Sequence, residues 1–258
     1  MQHHREKGSH PSCHVATVSL PCPAAGPRGC PVYSLILLNG GVGARVAAGQ
    51  PKQFIHVNGL PILVYSLVAA DATEGITQII LNYPPGWLED VEKIVTDYAI
   101  KTPITYVPAG RSRHESVALM VPYCKNDHVI IHESARPLVS HGDFTGLIAH
   151  PHPNVSYMLP IPFTVAPVDP EQQRVTGYLE RAKLRNVQLP QKFELSALVA
   201  AHEYADREGV TFTEDATLCA VAGTDVRFTD GTDRNFKVTT STDVRLAGYL
   251  LGSETTDE

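Results

Sequence analysis

Four apolar residues, Leu35-Ile36-Leu37-Leu38, run unbroken into Asn39-Gly40-Gly41-Val42-Gly43-Ala44-Arg45, with Pro51-Lys52 following. A short apolar run that stops at a glycine cluster reads as a strand buried on both faces, as parallel sheets use. The glycines let backbone N–H groups approach an anion without side-chain interference. Arg45 and Lys52 bracket the loop and supply two positive charges to the same anion. An ordinary glycine-rich turn is the alternative, and the Arg and Pro-Lys at fixed distances behind the glycines argue against it. The loop is not a Walker loop, which needs Gly-Lys-Ser/Thr. Nor is it a dinucleotide-binding G-x-G-x-x-G, whose third glycine would fall at Val46. It suits a phosphate chain.

The chain has 258 residues, 43% of them hydrophobic, enough for one substantial core and one domain. Its net charge of −6 gives no global basic field of the kind nucleic-acid binders show, so no nucleic-acid partner is expected. No apolar run approaches the ~18 residues of a membrane helix, so no membrane partner is expected either. Of five cysteines, three (Cys13, Cys22, Cys30) lie near the start, which is no disulfide framework and suits a reducing cytoplasm. Residues 1–31 are rich in Pro, His, Gly and Cys and show no period, so disorder is expected. A metal site among their His and Cys residues lacks any C-x-x-C spacing, and a working protein beginning near Val32 is a further reading.

From Val32 the pattern alternates. Strands read at 33–38, 76–82, 104–107, 128–132 and 155–160, with helices at 61–70, 87–99, 112–121 and 142–149. This order predicts an α/β fold: an open, mostly parallel sheet covered by helices, with ligands outside the carboxyl ends of the strands. Prolines from Pro160 to Pro170 exclude a helix, and 174–179 reads as the return strand of a protruding β-arm spanning about 162–186. Helices are expected at 193–208, at 215–221 and from Thr242, with an edge strand at 226–229. Residues 32–252 make the domain.

Two more strand ends carry chemistry. Gly110, Arg113 and Ser116 in Ala109-Gly-Arg-Ser-Arg-His-Glu-Ser open a helix, where free N–H groups and a hydroxyl can read a base edge and Arg113 can support phosphate or ribose. The alternative is a plain N-capped surface helix. Glu133 in His132-Glu-Ser-Ala-Arg136-Pro ends a buried strand, a costly place for a carboxylate unless it meets a cation. It is either an Mg²⁺ ligand or the ion-pair partner of Arg136. Arg181 on the arm and Lys237 are candidates for a second anion. Glu214 and Asp215 begin a helix, where capping and dipole compensation are the simpler reading.

Taken in order, Gly40-Gly-Val-Gly-Ala-Arg…Pro-Lys-Gln-Phe, Gly110…Arg113…Ser116-Val, His132-Glu-Ser-Ala-Arg-Pro, Leu189-Pro-Gln-Lys-Phe and Lys237-Val-Thr resemble the 2-C-methyl-D-erythritol 4-phosphate cytidylyltransferases and the related ribitol 5-phosphate cytidylyltransferases. The resemblance runs from about Tyr33 to Leu251. It implies transfer of CMP from CTP to a small sugar-alcohol phosphate, with pyrophosphate released, in a Mg²⁺-dependent homodimer joined through the arm. By the same resemblance, Arg45 and Lys52 hold the triphosphate, with Gly40, Gly41 and Gly43 beneath it. Gly110 and Ser116 contact cytosine, supported by Arg113, while Thr164, Arg181 and Lys237 grip the acceptor phosphate, Arg181 from the partner's arm. Glu133 and Glu214 match the two acidic positions near Mg²⁺ and the acceptor, and Arg136 lies beside the first of them.

Several residues depart from the family pattern. Asn39 adds a side chain near the base or phosphates. Glu133 and Glu214 stand where Asp is usual, each adding roughly 1.5 Å of reach, so Asp215 is an alternative ligand. Arg111 replaces a common acidic residue near the base, and Phe163 replaces a polar residue beside the acceptor. These departures keep two other readings open: a nucleotidylyltransferase for another nucleotide or another phosphate or phosphonate acceptor, and a catalytically weak nucleotide-binding relative.

Overall fold

Leu35, Ile36 and Leu37 have no solvent exposure, because helices cover both faces of the strand that carries them. In the computed structural model, which describes residues 31–41 and 50–253, this strand is β1 (Tyr33–Leu38). Gly43, Arg45 and the N-terminal segment through residue 30 lie outside the described residues.

After β1 a small hairpin, β2 (His56–Val57) and β3 (Leu60–Pro61), leads into α1 (Ile62–Asp71). Strands and helices then alternate: β4 (Ile76–Tyr83) and α2 (Leu88–Asp97), β5 (Ile104–Pro108) and α3 (Arg113–Met120), β6 (His128–Glu133) and α4 (His141–Ala149), then β7 (Val155–Pro160). The arm hairpin is β8 (Val168–Asp169) and β9 (Arg174–Val175). The chain returns through β10 (Arg185–Glu194) to α5 (Leu195–Glu208), α6 (Asp215–Val221), β11 (Arg227–Asp230) and α7 (Ser241–Ser253).

The main sheet has seven strands in the order β11-β7-β10-β6-β1-β4-β5. Strand β10 is antiparallel to both of its neighbours, and every other pairing is parallel. The two-residue period of a strand divides the core. Leu35 and Leu37 pack with Leu63, Leu67, Phe144 and Leu147 of α1 and α4 on one face. Ile36 and Leu38 pack with Val117, Met120, Leu198 and Leu218 of α3, α5 and α6 on the other.

Three expectations change. Strand β10 carries no expected element along most of its length, because Pro190 and the polar residues around it obscure its pattern. Its pairing with β7 skips from Gln188 to Gln191, so Leu189 and Pro190 bulge out and the missing prolyl N–H breaks no rung. The helix expected from Phe193 starts at Leu195, because Phe193 and Glu194 pair with Val129 and His128 of β6. The arm's return strand is two residues long rather than the span 174–179, with rungs only at Val168–Val175 and Asp169–Arg174.

Phe193 joins β10 to the α3/α5/α6 side of the core at zero exposure. Phe193→Ala should therefore cost about 3–5 kcal/mol, read as a lowered midpoint in thermal or urea unfolding.

Candidate active site

The carboxyl ends of β1, β4, β5 and β6 open onto one cleft of about 500 Å³. The sequence-predicted residues Asn39, Gly40, Gly41, Lys52, Gly110, Arg113, Ser116, Glu133 and Lys237 all line it. Close packing shapes its floor. A Cβ on Gly40 would lie 2.3 Å from Ala109 Cβ, and one on Gly110 would lie 2.9 Å from Ser116 N. Only glycine lets the turn after β1 press against the end of β5.

Asn39 ties three strand ends together. Ser134 Oγ donates to Asn39 Oδ1 at 2.7 Å, Asn39 N–H donates to Asn82 Oδ1, and Gln53 Nε2 donates to the Asn39 carbonyl. Asn82, Gln53 and Ser134 were not among the sequence candidates. Their signal was a polar residue at the end of an apolar run, or beside a charged motif residue.

The backbone amides expected to be free after β5 are engaged. Gly110 N–H donates to Ser116 Oγ at 3.0 Å, and Arg111 N–H donates to Glu115 Oε2 at 2.8 Å. Ser116 thus braces the turn, and its own hydroxyl donates to Ser112 O at 2.8 Å. Arg111 lies at the rim of the cleft, largely exposed and paired with Glu115 at 3.2 Å.

Glu133 is the electrostatic centre. Its carboxylate lies 2.8 Å from Lys237 Nζ, 3.4 Å from Arg113 Nε and 3.8 Å from Arg136 Nε. Burial alone would push its carboxyl up, but the three cations outweigh that and bring it down to about 2. Arg136 is held from behind by Asn235 O at 2.7 Å and does not line the cleft. Lys52 Nζ donates to Val238 O at 2.9 Å, one residue from Lys237. Neighbouring His132 is fully buried and kept neutral, its pKa lowered to about 3 by desolvation.

The acidic candidates separate. Glu214 is the N-cap of α6: Ala216 N–H and Thr217 N–H each donate to it at 2.8 Å, and Gln191 Nε2 donates as well. Both of its oxygens are engaged and it does not line the cleft, so the reading of Glu214 as a metal ligand gives way to capping. Asp215 pairs with Arg113 at 2.6 Å and does not line the cleft. Among the described residues no group of three or more His, Cys, Asp or Glu side chains is placed to hold a metal ion. Of the three acidic candidates Glu133 alone lines the cleft, and Mg²⁺ takes one or two carboxylates and leaves its other positions to phosphates and water.

Thr164 and Arg181 lie exposed on the arm. Arg181 Nη1 donates to Pro162 O at 3.1 Å, and neither residue lines this cleft.

An open α/β sheet with a glycine floor and clustered Lys and Arg outside its strand ends defines a nucleotidyltransferase-type protein. The chain matches the family model of 2-C-methyl-D-erythritol 4-phosphate cytidylyltransferase (IspD) over residues 33–253. It belongs to that family. It is 30% identical over 227 residues to the 2-C-methyl-D-erythritol 4-phosphate cytidylyltransferase of Bacillus licheniformis, covering 88% of this chain and 98% of the relative. The corresponding protein of Halalkalibacterium halodurans is 30% identical over 223 residues, covering 86% and 98%. Among solved structures, the Thermus thermophilus enzyme of the same name aligns with a TM-score of 0.65 at 27% identity, over 85% of this chain and 98% of that one. The Anaerococcus prevotii 4-diphosphocytidyl-2C-methyl-D-erythritol synthase shares the fold with a TM-score of 0.74 at 24% identity, over 86% and 96%.

Glu133→Gln leaves three cations facing one another, so a loss on the order of 3 kcal/mol at pH 7 is expected. The native carboxyl lies below its ordinary 4.5, at about 2. Its contribution is therefore complete above pH 4.5 and lost as pH falls toward 2. The gap in melting temperature between wild type and variant should narrow across that window.

Proposed function

We propose that the protein transfers CMP from CTP to 2-C-methyl-D-erythritol 4-phosphate and releases pyrophosphate. One observation carries this reading: Lys52, Arg113, Lys237 and Glu133 line one glycine-floored cleft at the ends of parallel strands. Both curated relatives described above bear the methylerythritol-phosphate name, which favours that acceptor over ribitol 5-phosphate.

In the reaction an oxygen of the acceptor phosphate attacks the α-phosphorus of CTP. A new P–O bond forms as the bond to the β-phosphate bridging oxygen breaks, and the electron pair leaves with pyrophosphate. The attacking oxygen is already anionic, so positioning and charge stabilisation matter more than a general base. Gly40 and Gly41 let the triphosphate approach the backbone. Lys52, with Arg45 of the same motif, meets the charge that develops on the phosphates, where a fixed cation is worth most. Lys237 grips the acceptor phosphate, joined by Thr164 and Arg181 from the arm of a second copy in a homodimer. The exposed Phe163, Val168, Val175 and Tyr178 on the arm support such an association. Gly110 and Ser116 shape the base pocket, with Arg113 behind them. Glu133 would hold Mg²⁺ together with the nucleotide phosphates, and the ion would supply further charge neutralisation. We assign the reaction to the cytoplasm. Among the described residues no helix is long and apolar enough to cross a membrane.

The test is pyrophosphate release with Mg²⁺, CTP and methylerythritol phosphate, with ribitol phosphate and with UTP, ATP and GTP as controls. Release that needs both CTP and methylerythritol phosphate is expected. CTP binding with no release from any pair would leave a nucleotide-binding relative instead. Lys52→Ala should keep its fold and lose on the order of 10²–10³ in turnover; an undiminished rate would remove Lys52 from the mechanism.

A further inference from the structure

Asp215 is 1% exposed at the first turn of α6, outside the cleft lining, yet Oδ2 lies 2.6 Å from Arg113 Nη2. Capping does not explain it, because Glu214 already takes the first free N–H groups of that helix. A buried carboxylate is costly without an opposite charge. His202, with Nε2 4.0 Å from Asp215 Oδ1, is not that charge: burial lowers its pKa below the usual imidazole value, and its ring packs at a tilt against His114, centroids 4.7 Å apart. Nearby Cys219 is a buried thiol whose pKa is pushed up to about 12 by desolvation, then by Asp215, so it brings no cation either. Arg113 is the remaining partner, and it reaches the cleft on its other side through Nε, 3.4 Å from Glu133.

We infer that Asp215 is a positioning residue: by pairing with Arg113 from behind the cleft, it keeps the guanidinium shared between α6 and Glu133. This rests on the reading of the cleft as a CTP site. Removing the Asp215 charge frees the guanidinium to turn fully onto Glu133, where it competes with Lys237. The cation then leaves its station beside the Gly110 turn, and the nucleotide loses support without losing any group that touches it.

The experiment is calorimetric binding of CTP to wild type, Asp215→Asn, Arg113→Gln, the double variant and Asp215→Glu, with melting temperatures in parallel. Asp215→Asn should weaken CTP binding about tenfold, a mid-range coupling for residues in contact. The double variant should bind no worse than Arg113→Gln, and Asp215→Glu should recover most of the affinity. If Asp215→Asn does not fold, the charge-balanced double variant against Arg113→Gln still reads the coupling. Wild-type affinity in Asp215→Asn, even with a lowered melting temperature, would leave Asp215 only a structural role and overturn the inference. So would an undiminished further loss in the double variant. A wild-type protein that binds no CTP would instead overturn the reading of the cleft.

Discussion

One carboxylate organises the cleft. Glu133 ends a strand buried from Val129 onward, and its charge is tolerable there because Arg136 reaches it from the turn three residues on, while Arg113 and Lys237 come from segments distant in sequence. Those two segments are the start of α3 and the stretch before α7. Three cations around one carboxylate leave positive charge facing the opening. The same clamp that stabilises Glu133 thus makes the cleft a receptor for phosphates.

Much of this was legible in the chain because strand ends follow simple rules. The runs 33–38, 104–107 and 128–132 were readable as strands, and a glycine or charged residue soon after such a run has few places to go except a ligand site. What stayed illegible had mixed signals or depended on long-range partners. Strand β10 alternates polar and apolar residues around a proline, and only its pairing on both sides shows it to be a central strand. The Asn39–Ser134–Asn82 tie is invisible because each residue alone is an ordinary polar loop former. Arg113 and Asp215 lie on helices far apart in the chain, and no local pattern announces their contact.

The adjacent acids at the start of α6 show how far position outweighs residue type. Glu214 turns back, so that its longer side chain reaches the N–H groups of Ala216 and Thr217. Asp215 points the other way, into the protein and onto a guanidinium. From sequence the two are nearly interchangeable. In the fold one completes a helix and the other reaches the back of the cleft, and the expected effect of an added methylene differs likewise between Glu214 and Glu133. At Glu214 it concerns a cap, and at Glu133 it concerns the contact with Lys237.

The antiparallel strand links the remaining parts. β10 begins at the root of the arm, where Arg185 pairs with Pro160, and runs to the middle of the sheet beside β6. Along the way Gln188 Nε2 donates to Thr232 O at 2.9 Å and Asn235 O at 3.1 Å, while Asn235 Nδ2 donates to Leu189 O at 2.8 Å. The same Asn235 carbonyl receives Arg136, and Val238 N–H donates to Ala135 O at 2.8 Å. The segment carrying Lys237 is therefore strung between β10 and the turn that follows Glu133. A shift of the arm root has a short, hydrogen-bonded route to the lysine at the cleft. That route exists because one strand of the sheet runs against the rest.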